Sequence, residues 1–149
     1  INSVKAYKCP ADQKTVASIT GTVPTVRSMS MNAWMNPILA WDNPGDQLQV
    51  FRKRSSITGI AASQAFVFID ENPNTINDPF FACDPNNAQW VDIPASYHGE
   101  AGSLSFADGH AEIKKWRDQN MIHATAAYVT PLAGTSDLKW LQDRSTTRR

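Results

Sequence analysis

Tyr97-His-Gly-Glu-Ala-Gly-Ser-Leu-Ser-Phe-Ala-Asp-Gly-His-Ala-Glu-Ile-Lys-Lys-Trp116 is the stretch on which the fold turns. Two alternating runs, Leu104-Ser-Phe-Ala107 and His110-Ala-Glu-Ile113, flank Asp108-Gly109. Asp-Gly between such runs favours a two-residue type I′ turn, in which both central residues need positive φ. That turn predicts Ala107 opposite His110, Phe106 opposite Ala111, Ser105 opposite Glu112 and Leu104 opposite Ile113. Leu104, Phe106, Ala111 and Ile113 then share one face, and Ser105, Ala107, His110 and Glu112 the other. A slip of one residue would turn a strand's side chains to the opposite face, so this clean sorting specifies the register.

Outward from the hairpin, Ala65-Phe-Val-Phe-Ile69 is a continuous apolar run of strand length, suited to burial on both faces. Residues 26–31 alternate, with Val26, Ser28 and Ser30 on one side and Arg27, Met29 and Met31 on the other. Residues 89–93 form another candidate strand, and 124–131 a strand or a loop. Between these runs lie Pro10-Ala-Asp12, Asn43-Pro-Gly-Asp46, Asn72-Pro-Asn74 and Asp84-Pro-Asn-Asn87, all turn chemistry. Helical signal is sparse. Ser55 or Ser56 caps a short turn towards Ala62, and Ser136-Asp137 is an N-cap signal for a helix over residues 138–142. No internal repeat appears. The expectation is one β-rich α+β domain with an antiparallel sheet and long irregular loops, and 149 residues suffice for a real core.

Fourteen basic residues balance fourteen acidic ones. That balance argues against a nucleic-acid partner, which calls for a basic excess. The basic end, residues 144–149, reads as a flexible, solvated tail. No apolar run reaches the ~18 residues of a membrane span. The chain opens on Ile1-Asn2-Ser3-Val4 without Met, so it is expected to be a processed or truncated piece of a longer protein. No Gly-x-Ser-x-Gly, His-Glu-x-x-His, phosphate loop or sequence-adjacent Cys–His pair is present, and the reading is of a non-enzyme.

Four features offer chemistry. His98 precedes the hairpin, and Gly99 and Gly102 permit a fold-back that would let it hydrogen-bond the Asp108 carboxylate or the turn; a metal role with Asp108 and His110 is the alternative. Asp108 and Gly109 have a structural explanation as the turn itself. The run Asp70-Glu71-Asn72-Pro-Asn-Thr-Ile-Asn77-Asp78 is rich in hard oxygen donors, and Asp70, Glu71, Asn72, Asn77 and Asp78 form a candidate calcium set, with Asp84 and Asp92 in reserve. The competing reading is an exposed Asx/Pro turn. Cys9 and Cys83 are either two unrelated buried thiols or one disulfide. The latter would close a loop of about 74 residues, worth about 4 kcal/mol in the chain-entropy model. Five tryptophans (Trp34, Trp41, Trp90, Trp116, Trp140) read as packing, with a sugar-stacking platform as the alternative.

In their order along the chain, several segments resemble the prepilin-type, processing-associated H-X9-DG proteins, a pseudopilin-like family. The defining element stands as His98-Gly-Glu-Ala-Gly-Ser-Leu-Ser-Phe-Ala-Asp108-Gly109, continuing through His110 to Trp116. Cys9-Pro-Ala-Asp12 is similar to the family's Cys-Pro-x-Asp turn, and Arg27-Ser-Met-Ser-Met-Asn32 to its Ser-Tyr-x-Met-Asn strand. Phe66-Val-Phe-Ile-Asp-Glu71, Trp90-Val-Asp-Ile-Pro-Ala-Ser-Tyr97 and Asp137-Leu-Lys-Trp-Leu-Gln142 also resemble family segments. The resemblance implies a pilin-like sheet and a structural subunit of a type II secretion pseudopilus or type IV pilus-like filament. It implies pilin or pseudopilin partners and a periplasmic or extracellular site. The full-length precursor would be anchored in the inner membrane by an N-terminal helix that this chain lacks. The sheet face meant for that helix would stand apolar and uncovered. Calcium in a loop of some type II secretion pseudopilins adds to the candidate set by analogy. A secreted polysaccharide- or protein-binding module is the alternative function.

Overall fold

The long apolar run near residue 66 becomes the centre of a sheet. In a computed structural model of the chain, which describes residues 3–36 and 47–149, seven short strands are assigned. They are β1 (Thr15–Ser18), β2 (Gly21–Pro24), β3 (Met29–Asn32), β4 (Phe66–Asp70), β5 (Phe80–Phe81), β6 (Ala101–Phe106) and β7 (Ala111–Lys115). Two short α-helices follow, α1 (Gln119–Ile122) and α2 (Asp137–Ser145). The main sheet has the order β5-β3-β4-β6-β7, and β1 and β2 form a separate hairpin. Its pairs are antiparallel except β3 with β5, so the expected all-antiparallel sheet is corrected at one edge. Among the described residues the fold is β-rich α+β with two sheets and no barrel. Among the described residues no helix is long and apolar enough to cross a membrane. Pro37, Trp41 and the Asn43-Pro44-Gly45-Asp46 turn lie outside the described residues.

The 104–113 hairpin forms, but one residue out of the expected register. Ser105 faces Ala111, Leu104 faces Glu112 and Ser103 faces Ile113. The loop is three residues long: the Gly109 N–H donates to the Phe106 carbonyl (3.0 Å), and the Phe106 N–H to the His110 carbonyl (2.9 Å). Only Gly109 takes positive φ (+100°); Asp108 does not. This is a turn closed by one glycine bulge rather than two residues of positive φ, a common hairpin solution that asks less of Asp. Asp108 accepts from the His110 N–H (3.1 Å) and contacts its ring nitrogen Nδ1 (2.6 Å). The shift moves Ile113 off the Leu104 face, and its side chain is 70% exposed.

The inner face of the sheet carries Phe66, Ile69, Leu104 and Phe106, all buried. Against it pack Trp90, Ile93, Trp116, Met121, Leu138 and Leu141. Each such side chain contributes about 1.5–3 kcal/mol on burial. Strand β3, with Ser28 just before it, buries Ser28, Ser30 and Asn32 and turns Met29 and Met31 outward. That inversion is tolerated because the polar atoms are paired. Asn32 Nδ2 donates to the Phe66 and Ser145 carbonyls, and its Oδ1 accepts from the Trp34 N–H. The expectation that 65–69 is buried on both faces fails at Phe68, which is 40% exposed.

Residues 89–93 and 124–131 contribute one isolated bridge, Trp90 with Val129, rather than strands. The turn near Ser55 is a 3-10 helix over Arg54–Ser56, ending well before Ala62. Helix α2 extends past the expected 138–142, and Ser136 makes no side-chain cap. Asp137 instead turns back to accept from the N–H groups of Arg117 and Asp118 (2.5 and 2.9 Å) and from Lys114. The basic end is not a free tail: Arg144 lies in α2, Arg148 bridges Leu48, and the Arg149 N–H donates to the Gln47 carbonyl.

Gly102 lies where β6 passes the 95–97 segment. A Cβ there would sit 2.7 Å from the Ala95 carbonyl oxygen, the acceptor of the Trp116 indole N–H (3.0 Å). Gly102→Ala is therefore expected to destabilise the fold by about 1–3 kcal/mol, as overpacking against backbone does. Urea melts of the two proteins check this, and an unchanged midpoint would refute it.

Candidate functional site

His98 is carried by a tight loop. Gly99 and Glu100 both take positive φ (66° and 65°), and the Glu100 N–H returns to the Ser96 carbonyl (3.0 Å). The loop aims the imidazole at the end of β4 and the turn that begins at Cys9. Its Nε2 lies 3.1 Å from Cys9 Sγ and 3.6 Å from Asp70 Oδ2. The expected tie from His98 to Asp108 is not made. The six residues of β6, at about 3.3 Å each, hold the two residues at opposite ends of a strand, and Asp108 is engaged by His110 instead.

Both neighbours of His98 are held firmly. Cys9 begins a turn closed by the Asp12 N–H on the Cys9 carbonyl (3.0 Å), and its own N–H donates to Ser28 Oγ (2.7 Å). Asp12 accepts from the Lys14 N–H and from Lys8 and Thr25. Asp70, the last residue of β4, accepts from Ser103 Oγ (2.6 Å) and Ser28 Oγ (3.3 Å). Cys9 and Asp70 are buried, while the His98 side chain is 32% exposed. The Tyr97 hydroxyl is buried without a hydrogen-bond partner. Burial, with Asp70, Cys9 and Asp12 nearby, pushes it above its usual range, and the Ser28 hydroxyl only partly offsets this.

A Cys-His-Asp relay needs the carboxylate on the second imidazole nitrogen, so that it orients the base while the other nitrogen serves the nucleophile. Here thiol and carboxylate meet the same Nε2. Three donor atoms converge on one point, and among the described residues this is the sole group of three Cys, His, Asp or Glu ligand atoms within 4.8 Å of one another.

The expected calcium set does not gather in this way. Asp70 faces His98, whereas the neighbouring Glu71 is buried on Thr75 (3.1 Å). The Asn72 side chain holds the Asn74 N–H and donates to the Ala124 carbonyl. Asp78 accepts from the Phe80 N–H (2.8 Å), and Asn77 is exposed. Burial raises Glu71 to about 8 and Asp92 to about 6. The Cys9–Cys83 disulfide is corrected: both thiols are free and buried. Cys83 belongs to the core among Phe81, Trp90 and Leu141, where burial pushes its thiol far up, while Cys9 belongs to the His98 cluster.

The four tryptophans among the described residues are internal. Trp34, Trp90 and Trp116 are buried, and the Trp140 ring is covered by Arg144 at 4.0 Å and by Lys114. A sugar platform finds no exposed ring among these four. The Cys9–Asp70–His98 group was missed from sequence because its members stand 89 and 28 residues from His98, each already explained by a local role. Comparison with protein-family models, curated proteins and solved structures gave no match in any of the three.

Asp92 gives a pH prediction. Its carboxylate accepts from the Ala82 N–H (2.6 Å), but burial and Asp78 favour the protonated form. The folded state therefore keeps a proton that the unfolded chain releases. Its contribution to stability is full below the ordinary carboxylate range and declines as pH rises towards about 6. Asp92→Asn keeps the acceptor and should stabilise the protein at pH 7 but not at pH 4. Thermal melts at both pH values check it, and equal shifts would refute it.

Proposed function

We propose that this chain is the β-rich head of a pseudopilin-like assembly subunit at the cell envelope, built to pack against a long apolar helix and neighbouring subunits. The observation that carries the reading is the outer face of the five-stranded sheet. At one end Met31 and Val67 are covered by Met35, Phe51 and Ala65. At the other end Met29, Phe68, Ala111 and Ile113 border open space, with Phe68 40% and Ile113 70% exposed. A cavity of about 260 Å³ lies there, lined by Ala6, Tyr7, Met29, Phe68, Ser103 and Ala111 among others.

A strand central to a sheet gains from cover on both faces, and the outer face of β4 is covered at Val67 but not at Phe68. Burying a side chain such as Ile113 would stabilise a complex by about 1–2 kcal/mol. The ordered sequence segments around Cys9, Met29, Phe66, Trp90 and His98 supply the identity of the proposed partner. The rival reading as a polysaccharide-binding module finds no exposed tryptophan ring among the described residues.

Ile113 sits on the edge strand, so Ile113→Ser should change stability by no more than about 0.5 kcal/mol. In cells producing the full gene product, Phe68→Ser with Ile113→Ser should abolish recovery of the protein in sheared filament fractions and its cross-linking to pilin-class subunits. Wild-type-like recovery of the double variant would overturn the proposal.

A further inference from the structure

We propose that Cys9, Asp70 and His98 form a zinc-binding clasp with one coordination position open to solvent. Two groups compete for His98 Nε2. That nitrogen carries either one proton or one lone pair, yet it faces a thiol at 3.1 Å and a carboxylate at 3.6 Å. Nε2 can pair with only one of them at a time, and Asp70 Oδ2 already holds Ser103 Oγ at 2.6 Å. A cation at their centre would engage all three at once.

The spacing fits. Tetrahedral zinc with sulfur at ~2.3 Å and nitrogen at ~2.0–2.1 Å places those two donors about 3.6 Å apart, and nitrogen and oxygen about 3.3 Å apart. The observed separations lie within about 0.5 Å of these edges, a difference that a small rotation of the partly exposed imidazole absorbs. The donor set selects the metal. A thiolate disfavours calcium and magnesium, and a mixed sulfur, nitrogen and oxygen set suits zinc.

The surroundings resemble a support built for a ligand. Ser103 and Ser28 donate to the two oxygens of Asp70, and Ser28 also receives the Cys9 N–H, so two of the three donors share one brace. Such outer hydrogen bonds orient metal ligands. The Tyr97 hydroxyl, one residue before His98, is buried without a hydrogen-bond partner. The clasp would join three parts distant in sequence: the 9–12 turn, the end of β4 and the 97–100 loop. Asp70 and its brace Ser103 border the exposed sheet end, but metal binding and filament recovery are read out separately.

Titration of the metal-free chain with Co²⁺ tests it. One equivalent should produce a near-ultraviolet thiolate charge-transfer band and the intense visible bands of a four-coordinate site, and Zn²⁺ should displace both. Zn²⁺ should also slow iodoacetamide modification of Cys9, followed by peptide mapping to separate it from Cys83. His98→Ala should weaken Zn²⁺ binding at least tenfold, and Ser103→Ala by about 10–100-fold. Because the His98 side chain is one-third exposed, its variant remains folded even if Cys9→Ser does not. Absence of the thiolate band, an affinity unmoved by His98→Ala, or equal Cys9 alkylation with and without Zn²⁺ would each overturn the proposal.

Discussion

A single sheet has two faces, and this chain supplies full cover for one of them. The inner cover comes from Trp90, Trp116, Met121, Leu138 and Leu141, brought in by the segments that follow β5 and β7. Apolar burial of this kind is non-directional, so it needs a device that decides which side chains turn inward. That device is the register of β4, β6 and β7. Leu104 lies beside Ile69, and Phe106 beside Phe66, so one stripe of large side chains meets the tryptophans. On the outer side Met31 and Val67 find a second, smaller cluster, while Phe68 and Ile113 are left open.

Polar groups organise what the apolar core does not reach. Asp118 is fully buried yet caps α1 through the Asn120 and Met121 N–H groups, accepts from the Leu132 N–H, and receives the Trp90 indole N–H at 2.8 Å. Asp137 in turn holds the Asp118 N–H. These two carboxylates let helices of four and nine residues dock with little propensity of their own, since short helices depend on tertiary support. Asp70 and Glu71 show the same economy in a strand. Adjacent residues point to opposite sides; one carboxylate meets Ser28, Ser103 and His98, while the other is buried against Thr75 at a cost that raises it to about 8.

The sequence was most legible where local chemistry is strong. The hairpin around Asp108-Gly109, the β4 run, the turns at Cys9 and Asp84, and the C-terminal helix near Asp137 all follow from short-range patterns. It was least legible where a local rule had a close competitor. A two-residue turn and a three-residue turn with a glycine bulge read alike in sequence, and the difference moved Ile113 across the sheet. Weak alternation at 89–93 lost to loop geometry, because Asp92 and Trp90 spend their bonds on Ala82 and Asp118.

By itself the sequence determined the class of the fold, the place of its main hairpin and the residues with chemical potential. These depend on neighbours a few positions apart, whose geometry the backbone dictates. Only the tertiary structure decided which of those residues meet. Cys9 does not seek Cys83, and His98 does not seek Asp108; a six-residue strand and a positive-φ loop carry His98 to Cys9 and Asp70 instead. Proximity between residues so far apart in the chain is set by how the whole sheet closes over its core, and no local pattern records it.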